Sequence, residues 1–430
     1  MSKVIVIGAG PAGITASIGA AKAGHDVLLI EKNSSIGCKL AITGGGRCNI
    51  TNTADIASFL NHVISNRKFL YAAFNTFFNN EIISLLEDEG TKTKIESQGR
   101  VFPISDTSKD VIAALASALI RYNVTIRTDT CADSLIVRGF DKIQVSDSDA
   151  KAESRKSKCI GLITKSGEKI GADIVIVATG GISYPLTGST GDGYKFAENI
   201  GINLISPIPV LTPLILKETE VAHLQGLSLK DAGVTVKQGG KKLFSRTGEV
   251  IFTHYGISGP LILNASGYCG RYLKKSPLAL HIDLLPLEYN IDKKLLQLFE
   301  PEKNRYIGKV IKKLFPESLS LFLLQKSGIS SDKPVNKISK SERLILGENI
   351  KNLDFTIIGS KQKEAVITQG GVDIKDINPK TMASKKISGL KFAGEVLDLD
   401  AVTGGYNLQI AWSTAYLAAM DISEKSYCEQ

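Results

Sequence analysis

The sequence predicts an α/β fold in which one domain is interrupted by an insertion, and three features carry that expectation. A strand-like run, Val4 to Ile7, leads through a glycine-rich turn into a helical stretch, Pro11 to Ala23, and then a second apolar run, Asp26 to Ile30, which together form a βαβ unit. After Gly193 the texture changes, first to short β-like runs separated by Gly and Pro, then to Leu/Ile/Lys mixtures at helical spacing. From Val366 the first texture returns, and the residues left are too few to bury a core of their own, so they complete the first sheet. The boundaries expected are 1–194 for the first part of the split domain, 195–285 for an inserted β-barrel, 286–345 for a small helical subdomain, 346–365 for a return of the barrel, and 366–430 for the C-terminal part of the split domain.

The elements follow in order. Asn61 to Glu89 carries Phe69, Phe74, Phe77, Phe78, Ile82 and Leu85 at helical spacing, and a second helix runs from Ser108 to Tyr122. Gly99 to Pro103 between them reads as a turn. Short β-rich runs come next at Val124–Arg127, Cys131–Arg138, Lys142–Val145, Ile160–Thr164 and Ile174–Val177, interrupted by a polar stretch, Ser146 to Lys158, that reads as an exposed hairpin tip. Within the insertion, residues 206–285 read as barrel strands, and 289–345 as helices such as Lys293–Phe299 and Ile307–Phe315. A strand at Leu390–Ala393 and a helix at Asn407–Met420 close the chain.

Composition bounds the function. The 430 residues are 43% hydrophobic and 22% charged, which excludes a disordered chain, and 40 glycines without period exclude a collagen-like one. Six cysteines, at 38, 48, 131, 159, 269 and 428, show no spacing typical of a disulfide framework or a zinc site, so a reducing compartment and no metal are expected. No apolar run is long enough to cross a membrane, and Met1-Ser2-Lys3 leads straight into a short strand rather than a signal-peptide core. A cytoplasmic protein is the expectation. The net charge of +9 is concentrated, since Lys195 to Asp354 holds 23 Lys and Arg against 15 Asp and Glu. A solvated basic face and a polyanion-binding surface both account for it.

The chemistry lies in the motifs. Gly8-Ala9-Gly10-Pro11-Ala12-Gly13 follows a strand and opens a helix, as the dinucleotide fingerprint requires. Gly8 permits the tight turn, Gly10 lets a pyrophosphate approach the backbone, and Gly13 lets helix and strand pack closely. Glu31 is placed to accept hydrogen bonds from the adenosine ribose. Asp173 to Gly181 is a further apolar strand ending in Ala178, Thr179 and Gly180, and Phe392-Ala-Gly394-Glu395 is another. An NAD dehydrogenase has little use for that C-terminal return, whereas an extended FAD needs a distal strand end to hold its ribityl-phosphate and ring. No second GxGxxG follows a strand, so a dedicated NAD(P)H domain is not expected. Thr43-Gly44-Gly45-Gly46-Arg47-Cys48-Asn49 offers unusual backbone freedom, a cation for a pyrophosphate and an amide for the flavin edge. Gly404 and Gly405, before Tyr406-Asn407-Leu408-Gln409, place helix N–H groups where the N1–C2=O edge of a reduced flavin carries negative charge.

These segments also carry a family resemblance. Gly37-Cys-Lys-Leu-Ala-Ile-Thr-Gly-Gly-Gly-Arg-Cys-Asn-Ile-Thr-Asn52, Phe252-Thr-His-Tyr-Gly-Ile-Ser-Gly-Pro260, Thr368-Gln-Gly-Gly-Val372, Phe392-Ala-Gly-Glu-Val-Leu-Asp398 and Gly404-Gly-Tyr-Asn-Leu-Gln409 resemble the BaiN-like (YhiN-like) bacterial flavoproteins nearly end to end. The chain departs from that pattern at Ile410-Ala-Trp412, where the family often has a second Trp. The resemblance implies a Rossmann-like FAD domain interrupted by a barrel and helices, and a soluble reductase, with steroid enones and a uridine of large-subunit ribosomal RNA among the family's proposed substrates. Lys32, Lys39 and Asp398 complete the expected cofactor shell.

Hydride transfer to an activated C=C bond needs an acid on the opposite side of the substrate, and Cys48, His254 and Tyr255 are the rival donors, each also readable as a packed core residue. A redox disulfide between Cys38 and Cys48 is disfavoured, because thiol-disulfide flavoproteins place the pair closer. The function expected is an FAD-dependent oxidoreductase that takes hydride from NAD(P)H and passes it to an electron-poor C=C bond. Lys241, Lys242 and Arg246 in a hairpin, Arg271, Lys274 and Lys275 in a loop, and Lys309, Lys312 and Lys313 on a helix are expected to contact RNA if that is the substrate. Three alternatives stay open: an oxidase or dehydrogenase of a small metabolite, an aromatic hydroxylase, and an RNA- or protein-binding flavoprotein with structural FAD. The oligomeric state is not legible.

Overall fold

A computed structural model of the protein describes residues 1–139 and 157–420. The expected strand Lys142–Val145, residues 146–156 of the expected tip and Cys428 lie outside the described residues, and Lys158, the expected end of that tip, opens the strand Lys158–Thr164. The chain divides into two compact units, Met1–Pro209 with Val366–Gln430, and Val210–Ala365.

The first unit is organised by a parallel five-stranded sheet in the order Leu390–Phe392, Ile174–Val177, Lys3–Ile7, Asp26–Ile30, Thr125–Arg127. Its central strands are buried on both faces, which is why they read as unbroken Val/Ile/Leu runs rather than alternating ones. The C-terminal return supplies the edge strand and the helix Tyr406–Met420, whose residues are almost all buried. The first break falls at Pro209 rather than at 194, because the helix Asp192–Asn199 runs through the expected boundary and Leu204–Val210 pairs with Ile367–Val372.

Two expectations in this unit are corrected. Gly99 to Pro103 is not simply a turn: Arg100–Pro103 is the middle strand of a three-stranded sheet, with Thr51 opposite Val101 and Lys94 opposite Phe102. The stretch 61–89 is not one helix: Arg67–Leu70 runs into Tyr71–Thr76, and extended backbone at Phe77 and Phe78 separates these from Asn79–Asp88. There the Asn79 Nδ2 group donates to the carbonyls of Asn52 and Ala54, and Phe59, Phe74 and Phe78 pack ring against ring.

The second unit contains a closed six-stranded barrel in the order Leu214–Leu216, Gly256–Ser258, Lys241–Thr253, Ser228–Gln238, Leu278–Asp283, Leu353–Ser360. Its last strand arrives after the helices Ile291–Phe299, Ile307–Ile311, Glu317–Lys326 and Lys340–Lys351, and closes the barrel between the first strand and Leu278–Asp283. Val234, Val236, Phe252, Leu280 and Phe355 fill the core. One element departs from the expected strands. Pro260–Leu273 is a helix, begun by a proline in its first turn, where the missing N–H costs nothing.

Candidate functional site

The parallel register aligns the carboxyl ends of the sheet, since Ile7 pairs with both Val177 and Ile30, and Val177 pairs with Phe392. The chain leaving these strands delivers Gly8 to Gly13, Glu31, Ala178 to Gly180 and Gly394-Glu395 to one edge. Strand order reverses about Lys3–Ile7, and such a reversal is where open α/β sheets bind ligands.

The glycines divide into two kinds. A Cβ on Gly13 would stand 1.7 Å from the Gly8 carbonyl oxygen, so Gly13 is required by the turn's own packing. A Cβ on Gly10 would meet nothing within 4 Å, and its backbone, φ −84° and ψ −173°, is open to any residue. The protein's packing therefore gives no reason for glycine at position 10; a ligand passing close to that backbone does. The first-turn N–H groups of Ala12 and Gly13 have no intrahelical acceptor, and Pro11 has no N–H to satisfy. Glu31 is buried and already oriented, its Oε2 accepting from the Ala9 N–H at 2.8 Å and its Oε1 from the Asn33 N–H at 2.9 Å. Each carboxylate oxygen keeps a lone pair for a ribose hydroxyl. Thr179 Oγ1 is buried without a hydrogen-bond partner among the described residues and is packed against Gly193, where a Cβ would stand 2.3 Å from it.

Beside this edge, Glu395 gathers four segments. Its Oε2 accepts from Lys39 Nζ at 2.7 Å, and its Oε1 from the Thr368 N–H at 2.7 Å and Ser183 Oγ at 3.1 Å. Lys39 Nζ also reaches Ser183 Oγ at 2.6 Å, and the Tyr194 hydroxyl donates to the Glu395 carbonyl at 3.4 Å. Burial pushes the Tyr194 phenol up, so it stays protonated. Ser183, Thr368 and Tyr194 were not expected as site residues; only the Thr368-Gln-Gly-Gly run signalled one of them. Lys32 is engaged separately with Asp192 at 2.6 Å.

The glycine loop meets the start of the final helix. Gly44, Gly45, Gly46 and Cys48 all adopt positive φ. The Asn49 amide bridges the Thr51 carbonyl at 3.1 Å and the Gly405 N–H at 3.0 Å, and the Trp412 indole donates to the Ile50 carbonyl at 3.0 Å. The first intrahelical bond is from Gln409 N–H to Gly405 O, so the N–H groups of Asn407 and Leu408 precede it. Tyr406 is buried with its ring stacked on His62 at 4.4 Å.

Three of the expected side chains, Gln409, Asn407 and Arg47, are engaged by the protein's own groups. Gln409 is fully buried and bonded to Thr51 and Ser413, and Asn407 clamps Ala401 and Val402, so here the backbone is left to face a ligand. Arg47 is paired with Glu96 and Asp106 and lies over the Phe102 ring at 4.2 Å, so its charge is met by carboxylates rather than left for a pyrophosphate. Asp398 accepts from Asn66 Nδ2 at 2.9 Å. Cys48 is fully buried, and that burial pushes its thiol up to about 12. His254 and Tyr255 belong to the second unit, on the turn joining Lys241–Thr253 to Gly256–Ser258. Their rings meet edge to face at 4.8 Å, and Lys361 Nζ lies 4.2 Å over Tyr255.

The open space at Gly10 and the oriented Glu31 carboxylate fit a dinucleotide of FAD type, whose phosphates Gly8 to Gly13 would hold and whose ribose Glu31 would meet.

The comparisons with known proteins agree. The family described as HI0933-like protein Rossmann domain matches residues 2–421. The ribosomal RNA dihydrouridine synthase of Haemophilus influenzae is 32% identical over 428 residues, 99% of each chain. The 3-dehydro-bile acid delta(4,6)-reductase of Clostridium scindens is 30% identical over 99% of this chain and 100% of its own, and the ribosomal RNA dihydrouridine synthase of Escherichia coli is 30% identical over 97% of each. Among solved structures, the 3-ketosteroid-delta4-(5alpha)-dehydrogenase of Rhodococcus jostii RHA1 covers 98% of this chain and 96% of its own at 12% identity with a TM-score of 0.51, a likeness of fold. Fold and family together define a Rossmann-type, FAD-dependent oxidoreductase. The chain belongs to the HI0933-like Rossmann family. Among the described residues no helix is long and apolar enough to cross a membrane.

Proposed function

We propose that the protein is an NAD(P)H-driven reductase of an activated C=C bond, acting on a uridine of ribosomal RNA in the cytoplasm. One observation carries the reading: relatives named for making dihydrouridine and for reducing a 3-oxo bile acid both match this chain end to end. Both names describe adding two hydrogens to a C=C bond conjugated with a carbonyl. The concentrated positive charge of residues 195–354 favours RNA over a neutral enone, which has no use for it.

FAD, when bound, supplies two-electron hydride chemistry. The chain's own residues then have separable tasks. The turn at Gly8 to Gly13 binds phosphates, and Glu31 orients the ribose. Lys39 and Glu395, locked by Ser183 and Thr368, fix the distal strand ends against each other. The N–H groups at the start of Tyr406–Met420 and the loop Thr43 to Asn49 hold the polar edge of the ring. The proton comes from one of three rival donors: Cys48, whose fully buried thiol stays protonated and has to be uncovered to reach a substrate, or His254 or Tyr255.

A small enone is the second reading, supported by the bile acid reductase relative alone. Anaerobic mixing of the purified flavoprotein with NADH or NADPH, together with mass spectrometry of ribosomal RNA from a deletion strain, tests the proposal. Bleaching of the flavin and loss of one dihydrouridine are expected. A flavin that resists both nicotinamides, or unchanged dihydrouridine, overturns it.

A further inference from the structure

The positive charge of the second unit is unevenly neutralised. In the helical subdomain, Lys294, Lys303, Arg305, Lys312, Lys313, Lys333 and Arg343 are each paired with a carboxylate of the same subdomain, while Lys293, Lys309, Lys337 and Lys340 are exposed, scattered and without such a pair among the described residues. The expected cluster at 309, 312 and 313 is therefore two-thirds neutralised, and its helix ends at Ile311, before Lys312 and Lys313. At one end of the barrel the unpaired cations are gathered instead. Lys241, Lys242, Arg246, Lys274 and Lys275 are exposed and have no carboxylate within ion-pair distance among the described residues.

These cations form one patch, although the sequence divides them between a hairpin and what read as a separate loop. Gln238 Nε2 at the end of the strand Ser228–Gln238 donates to Ser276 Oγ at 2.8 Å and to the Tyr272 carbonyl at 3.4 Å, tying the hairpin to the C-terminal end of the helix Pro260–Leu273. Lys241 Nζ stands 5.5 Å over the Tyr272 ring, and the Arg246 guanidinium lies 5.7 Å from the Tyr268 ring. Tyr268 and Tyr272 are four residues apart on one helical face and half-buried. Complementing a helix C-terminus accounts for Lys274 and Lys275 alone; it does not account for Lys241, Lys242 and Arg246 on a strand hairpin. Unpaired cations held beside aromatic rings suit an anionic chain that also carries planar groups, which an acidic protein segment does not offer as a repeating feature.

We propose that this end of the barrel, made of residues 241–246 and 268–275, docks the phosphate backbone of the RNA substrate. The inference rests on the RNA reading given above and locates it.

The test is binding of a fluorescein-labelled transcript of large-subunit ribosomal RNA to the holoprotein across a salt series. In the combined variant Lys241→Ala, Lys242→Ala, Lys274→Ala and Lys275→Ala, affinity near 0.1 M salt should fall by at least about tenfold, and the slope of log affinity against log salt should flatten by roughly 3, at about 0.7–0.9 for each phosphate that is no longer neutralised. Lys312→Ala with Lys313→Ala should change affinity by less than about twofold. Flavin content and Tm establish folding, and Lys→Arg at the same four positions should restore binding. If the alanine variant keeps wild-type affinity and slope, or if both variants lose equally, the patch is not the RNA surface. If the wild-type protein binds the transcript without salt dependence, or not at all, while reducing an enone with NAD(P)H, the RNA reading falls and the patch with it. A patch variant impaired in binding an acidic polypeptide but not the transcript likewise overturns the assignment.

Discussion

Replacing Gly10 by valine separates the needs of the fold from those of the cofactor. A Cβ there meets no atom within 4 Å and the backbone conformation suits any residue, so the protein should lose no packing. Stability of the apoprotein should shift by no more than about 0.5–1 kcal/mol, and a gain from the stiffer unfolded chain is as consistent with the geometry as a loss. The cofactor should suffer far more, because the new side chain occupies the approach to the first-turn N–H groups of Ala12 and Gly13. Two hydrogen bonds to a charged phosphate, at about 1.5–3 kcal/mol each, make roughly 3–6 kcal/mol, a decrease of about 10²- to 10⁴-fold in FAD affinity. The assay is flavin absorbance per protein after gel filtration, with the apoprotein Tm alongside. Gly13→Ala is the contrasting perturbation: its Cβ would stand 1.7 Å from the Gly8 oxygen, so Tm and flavin should fall together. Gly10→Val with full flavin content would refute the phosphate assignment.

Other perturbations test the remaining parts. Cys48→Ser should retain FAD and its reduction by NAD(P)H while turnover of the C=C substrate falls about 10²-fold; wild-type turnover would make Cys48 a packing residue and move the role to His254 and Tyr255. Glu395→Ala strips the acceptor from Lys39, Ser183 and the Thr368 N–H, which should cost about 1–3 kcal/mol in thermal unfolding, and Glu395→Gln should recover part of it; an unchanged Tm would show that the network holds nothing together. Glu342 is held down to about 2 by Lys333 and by the Ser339 backbone N–H that donates to its carboxylate, against an ordinary value of 4.5. A lowered carboxylate stabilises the fold above its unfolded value and loses that contribution as pH falls through the folded one, so the Tm gap between wild type and Glu342→Gln should close between about pH 4.5 and 2. A gap that stays constant across that window would contradict the assignment.

What the sequence disclosed was local. The fingerprint at Gly8 to Gly13, the doubly buried runs at 4–7 and 174–177, and the returning texture after Val366 are patterns of neighbouring residues, and each points to the same sheet. What it hid depends on partners far along the chain. Arg100–Pro103 looks like a turn until Thr51 and Lys94 lie beside it. Arg47 looks like a phosphate ligand until Glu96 and Asp106 reach it across 49 and 59 residues. Pro260–Leu273 was masked by the punctuation around it, because Gly-Pro signals a break and equally signals a helix start. Glu395 was expected at the cofactor; that Ser183 and Thr368 would orient it follows from the parallel register, which no single segment encodes.

Reduction of a C=C bond at the expense of NAD(P)H can be reconstituted from purified parts. Ribosomal RNA from a strain lacking the protein is incubated anaerobically with purified holoprotein and NADPH or NADH, digested to nucleosides and analysed by mass spectrometry. Dihydrouridine should appear with the protein and a nicotinamide together, and with neither alone. Nicotinamide consumed with no dihydrouridine formed, or oxygen consumed on a small metabolite with no nicotinamide present, would contradict an RNA-directed reductase.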